Sequence, residues 1–250
     1  MNSEWKEGKD MIGVLLIHGF TGGPHELAPL TERLKVKTDW LVKVPTLPGH
    51  GLDLNLSPHT HQEWIETVET AYHGLKQRVD TIYIVGFSMG GMLAGYLAGK
   101  YGADKLVMLS PSRKYLNLIK LTKEVTQLVK DRIVGELEEN FTYKHYHHKQ
   151  GKIPLKAYLE FVKCVKVTEP YLKEITNPTL VLQGMEDGLV PYQTTHALDK
   201  DIPIDIDVIY YLDSKHMICL GDDQEVVVGS VIDYLMKPAH KKETTDTPHT

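Results

Sequence analysis

Cysteine is scarce. The 250-residue chain carries two, Cys164 and Cys219, and no C-x-x-C spacing relates them. A disulfide framework or a thiolate zinc site is therefore not expected, and both thiols read as reduced and structurally incidental. An excess of positive charge is also missing: 28 Lys and Arg against 33 Asp and Glu leave a net charge of −5, with the cations scattered rather than gathered into a stripe. Nothing there attracts a phosphate backbone, so no nucleic-acid partner is expected. The apolar run "MIGVLLI" spans only residues 11–17, far short of a membrane span. The opening "MNSEWKEGKD" is charged and lacks the apolar region of a signal peptide, so the expectation is a cytoplasmic chain without membrane insertion. No internal repeat or low-complexity linker divides the sequence. Histidines are more plentiful, yet His145, His147 and His148 in "KHYHHK" and His59 and His61 in "HTH" have no acidic or cysteine partner at ligand spacing. They read as solvated polar loops, and neither a metal nor a cofactor is expected.

What is present suits one α/β domain, since 42% hydrophobic residues are enough for a sizeable core at this length. Apolar runs alternate with segments of helical period, the pattern of a parallel sheet joined by crossover helices. Strands are expected at 11–17, 81–87, 105–110, 178–184 and 206–212, with an extended "WLVKVPTL" between two helices. The first run is apolar throughout, as a strand covered on both faces should be. The helices are expected at about 25–36 and 62–78, after residue 88, and in the closing "QEVVVGSVIDYLMK"; Trp64, Val68, Ala71 and Leu75 would form the buried stripe of the second. Residues 112–175 break the rhythm and contain no convincing strand. A structureless loop of that length is foreign to a compact domain, so a helical cap is expected, with apolar faces at Leu121, Val125, Leu128 and Val129 and at Leu155, Tyr158, Leu159 and Val162. The cap is read as part of a single domain covering residues 1–250, with 239–250 a disordered tail.

The stretch "IVGFSMGGM" places Ser88 between Gly86 and Gly90, after a strand and before a helix. The G-x-S-x-G glycines permit a sharp turn that lifts the serine Oγ clear of the backbone, at a helix N-terminus that favours negative charge. A serine hydroxyl is a weak nucleophile at neutral pH and needs a base in contact with it, oriented by a carboxylate. In the chain order serine, acid, histidine, Asp187 in "LQGMEDGLVP" supplies the acid and His216 in "YLDSKHMICLGDD" the base. Glu186 and Asp213 are competing carboxylates; Asp187 is preferred because it completes a G-x-x-D-x-x-V turn after the penultimate strand. Of the later histidines, His196 falls in a helix and His240 and His249 in the tail, which leaves His216. Two donors must also receive a developing oxyanion. The backbone N–H groups of Met89 and of Phe20, in the glycine-rich "LLIHGFTGG", are the candidates. That stretch lacks the G-x-G-x-x-G spacing of a phosphate cradle, and its His18 is expected to organise the loop.

Through "HGFTG", "PGHG" (48–51), "GFSMGG", "GMEDGLV" and "SKHMICLGDDQE", in order over residues 11–237, the sequence resembles the α/β-hydrolase family and, within it, the small bacterial carboxylesterases and monoacylglycerol lipases. The resemblance implies a mostly parallel sheet of six to seven strands with helices on both faces and a small cap. It also implies a serine hydrolase that cleaves small-molecule esters of short to medium acyl chains through an acyl-enzyme. Such relatives usually have Gly before the histidine, where this chain has Lys215, and only ten residues precede the first strand, so a minimal sheet is expected. A thioesterase or carbon–carbon bond hydrolase would use the same triad, and a non-catalytic receptor could share the fold. Monomer and dimer are both left open.

Overall fold

Each apolar run becomes a strand because its alternate side chains find a different core on each face. In the computed structural model, which describes residues 10–113 and 153–238, β1 (Ile12–Ile17) sends Leu15 and Ile17 to one face and Val14 and Leu16 to the other, all fully buried. After α1 (Ala28–Lys37) the chain lays down the short β2 (Leu41–Lys43). It continues through α2 (His61–Lys76), β3 (Thr81–Phe87), α3 (Met89–Tyr101) and β4 (Lys105–Leu109). Beyond residues 114–152 come α4 (Leu155–Thr168), β5 (Thr179–Gly184), α5 (Thr195–Asp201), β6 (Asp207–Tyr211) and α6 (Gln224–Met236). The six strands form one sheet in the order β2-β1-β3-β4-β5-β6, and every neighbouring pair is parallel.

Helices α2, α3 and α4 share one core with one face of the sheet, and α1 and α6 share the other. The expected stripe of α2 is buried at Trp64, Val68, Ala71 and Leu75, and the helix opens with a capping box between Thr60 and Glu63. From β1 the chain steps outward to β2 and then returns to the opposite side of β1 for β3. The loops that leave the carboxyl ends of β1 and β3 therefore diverge and open a crevice, the place where parallel sheets hold their ligands.

Two expectations need correction. Leu155 and Leu159 are 74% and 51% exposed, and α4 instead buries Ala157, Glu160, Phe161, Cys164, Val165 and Thr168. Both stripes have helical spacing. The buried one wins because Ala157 and Cys164 are small enough for close packing and because Glu160 finds a partner in the protein. That partner is His61, the second correction: it is buried rather than solvated, with Nδ1 2.6 Å from Glu160 Oε2, an oxygen that also accepts the His61 backbone N–H. The other cap face, Leu121 to Val129, the "KHYHHK" histidines and the tail from 239 lie outside the described residues.

Candidate active site

The elbow is built by backbone contact. A Cβ on Gly86 would lie 2.0 Å from the Gly90 carbonyl oxygen, and one on Gly90 would lie 2.1 Å from that of Ile17. Only glycine allows β3, α3 and β1 to approach so closely. Ser88 between them adopts φ 54° and ψ −117°, a left-handed conformation that costs energy in a non-glycine residue and persists because its surroundings hold it. Its N–H donates to Leu109 O at 2.8 Å, and its carbonyl accepts from Gly91 and Ser112.

Three strand ends bring the expected residues together. Ser88 Oγ, after β3, lies 2.9 Å from His216 Nε2, after β6; His216 Nδ1 lies 2.7 Å from Asp187 Oδ2, after β5. Asp187 is buried and fully engaged. Its Oδ1 accepts the backbone N–H groups of Leu189 and Val190, and its Oδ2 accepts from Gln183 Nε2 as well as from the imidazole. The competing carboxylates Glu186 and Asp213 are exposed to solvent, and His196 is exposed on α5. Phe87 packs against the His216 ring with centroids 5.1 Å apart. Among the described residues the non-glycine positions with left-handed backbone are Thr21, Ser88 and Ser110, so Lys215 occupies the place of the usual glycine without such strain.

The loop after β1 is held just as firmly. His18 Nδ1 donates to Gly19 O and its Nε2 accepts the Leu47 N–H, so the imidazole pins this loop to the one after β2. Phe20 is wedged between Phe161 and Trp64, with centroids 5.0 and 5.9 Å away. Met89 is the first residue of α3, where no preceding helical turn supplies an acceptor for its amide.

Residue patterns alone missed three supporting groups. Glu26, buried beneath the loop, accepts the Gly19 N–H at 2.9 Å, yet in the sequence it reads as an ordinary surface carboxylate. Gln183 braces Asp187. Ser112 places its Oγ 2.7 Å from that of Ser88; no sequence signal marks it, because only the assembled sheet sets β4 beside β3. Among the described residues no group of three or more His, Cys, Asp or Glu side chains could hold a metal ion, and no helix is long and apolar enough to cross a membrane.

Residues 11–224 match the family described as "Serine aminopeptidase, S33" (Hydrolase_4). The chain belongs to this family. Relatives of this hydrolase include the thermostable monoacylglycerol lipase of Bacillus sp. (strain H-257), 29% identical with 91% of this chain and 92% of the relative covered. Another is the pimeloyl-[acyl-carrier protein] methyl ester esterase of Aliivibrio salmonicida, 22% identical with 82% and 84% covered. Two solved structures share the fold. One comes from the description of LipS and LipT, two metagenome-derived lipolytic enzymes (TM-score 0.70, 21% identity, 90% and 94% covered), and the other is the esterase EaEST of Exiguobacterium antarcticum (TM-score 0.68, 15% identity, 92% and 94% covered). The chain is a lipase- and esterase-like α/β-hydrolase.

Proposed function

We propose that the protein cleaves carboxylic esters of short to medium acyl chains, with Ser88 as nucleophile, His216 as general base and acid, and Asp187 as the group that orients the imidazole. The observation that carries this reading is the unbroken contact from Asp187 Oδ2 through His216 to Ser88 Oγ. His216 takes the Ser88 proton as Oγ attacks the ester carbonyl, and the amides of Phe20 and Met89 receive the oxyanion. The tetrahedral intermediate collapses when His216 protonates the departing alcohol. Water, activated by the same imidazole, then releases the acid from the acyl-enzyme.

Phe20 and Tyr158, half-buried and packed on the buried rings of Trp64 and Phe161, present an apolar surface at the oxyanion loop that supports an acyl group as the substrate's apolar part. We place this chemistry in a single cytoplasmic domain, with the insertion that follows β4 as its cap. The lipase and esterase names of the relatives support an ester substrate. The test is a series of p-nitrophenyl esters from acetate to palmitate, with an aminoacyl p-nitroanilide alongside for the peptidase label of the family. Each buried methylene contributes about 0.8 kcal/mol, so kcat/KM should climb about fourfold per carbon at first and then fall once the site is full. A flat profile, or one still rising at palmitate, contradicts the acyl-length reading; turnover of the anilide alone contradicts ester cleavage.

A further inference from the structure

We infer that Ser112 is a catalytic residue, whose hydroxyl donates a hydrogen bond to Ser88 Oγ and stabilises the charge on that oxygen as its bond to the acyl carbon forms and breaks. The inference rests on the reading of Ser88 as nucleophile.

The direction of the hydrogen bond follows from counting protons. Ionised Asp187 can only accept, so the His216 Nδ1 that faces Oδ2 at 2.7 Å carries a hydrogen. In the neutral imidazole that leaves Nε2 as an acceptor, and the Ser88 hydroxyl, 2.9 Å away, spends its one hydrogen there. Ser88 therefore has nothing to donate across the 2.7 Å contact to Ser112, and Ser112 must be the donor. The position is built rather than incidental. Ser112 is 2% exposed, follows a turn whose Ser110 has φ 43°, and also gives its backbone N–H to Ser88 O at 3.2 Å. Hydroxyl and amide of one residue are both committed to the nucleophile, with little water to compete for them.

Such a donor acts differentially. In acylation the Oγ–H proton passes to His216 Nε2 while an Oγ electron pair forms the bond to the carbonyl carbon, and the carbonyl π pair moves to its oxygen. In deacylation water attacks, its proton passes to His216, and collapse breaks the C–Oγ bond. The electron pair stays on Oγ, which regains its proton from His216. In the acyl-enzyme itself Oγ is an ester oxygen, a poor acceptor. The hydrogen bond from Ser112 is thus strongest in the transition states where Oγ carries charge, and interactions of that kind raise kcat.

The test compares wild type, Ser112→Ala and Ser112→Cys for p-nitrophenyl butyrate turnover, fluorophosphonate labelling rate and melting temperature. Ser112→Ala should lose on the order of ten- to hundredfold in kcat, the range for a hydrogen bond to an oxygen that gains charge, with KM nearly unchanged. Labelling should slow in parallel, melting should shift little, and Ser112→Cys, of nearly the same shape but a weaker donor, should fall in between. A kcat for Ser112→Ala within about twofold of wild type would overturn the inference while leaving Ser88 as nucleophile intact. So would a lost activity that tracks a lost melting temperature and returns fully in Ser112→Cys. An active wild type that is labelled elsewhere than Ser88, or an inactive wild type, would overturn both readings.

Discussion

Asp187→Asn separates orientation of the imidazole from packing, because the two oxygens of this carboxylate do different work. Oδ1 holds the turn by accepting the Leu189 and Val190 amides at 2.9 and 2.8 Å. An asparagine keeps that turn only by placing its own oxygen there, which puts the NH2 group where Oδ2 meets His216 Nδ1 and Gln183 Nε2. Donor then faces donor. The imidazole escapes by moving its proton to Nε2, and Nε2–H can no longer accept the Ser88 proton. The Gln183 amide can turn its otherwise unpartnered Oε1 toward the new NH2 group, so folding should survive at a cost of about 1–3 kcal/mol. The catalytic cost should be far larger, on the order of 10³ to 10⁴ in kcat, or about 4 to 5.5 kcal/mol. The assay is steady-state turnover of p-nitrophenyl butyrate beside thermal melting followed by circular dichroism. A folded Asp187→Asn enzyme within tenfold of wild type would refute the reasoning, as would a larger loss from Glu186→Gln, whose side chain is exposed.

Two further predictions concern groups away from the nucleophile. Hydrogen bonds from Lys163 and His61 hold the Glu160 carboxyl down to about 2; a depressed acid contributes stability above its unfolded value and loses it as pH falls toward the folded one. Glu160→Gln should therefore cost at most about 3 kcal/mol near neutrality, with a gap from wild type that closes below about pH 4.5; thermal melts that show a constant gap down to about pH 3 would count against it. Burial pushes the Cys164 and Cys219 thiols up to about 12, so native protein should resist iodoacetamide and keep its activity, whereas the unfolded chain should be alkylated at both positions; loss of activity on treating the native protein would contradict this.

The sheet was legible because burial on both faces gives each inner strand an unbroken apolar stretch, such as Val14–Ile17 in β1 and Leu106–Leu109 in β4, a signal that does not depend on its neighbours. Ser88, Asp187 and His216 were legible for a related reason: each follows a strand whose carboxyl end lies on one edge of a parallel sheet, so chain order carries spatial meaning. Ser112 was not, because its meaning depends on which strand adjoins β3, and that is a property of the assembled sheet. The face of α4 was misread since two stripes fit one helical period, and the choice between them turned on Glu160 meeting His61 across ninety-nine residues of sequence. Glu26 escaped for the same reason. A carboxylate reads as solvated until a loop folds over it, and here Gly19 donates to it from above.

The most direct measurement is fluorophosphonate labelling of the native protein, followed by proteolysis and mass spectrometry to locate the adduct. One adduct is expected, on the peptide that contains Ser88, absent from Ser88→Ala and strongly slowed in His216→Gln. An adduct on any other residue, or unmodified protein that still hydrolyses esters, would contradict the assignment of Ser88 as nucleophile.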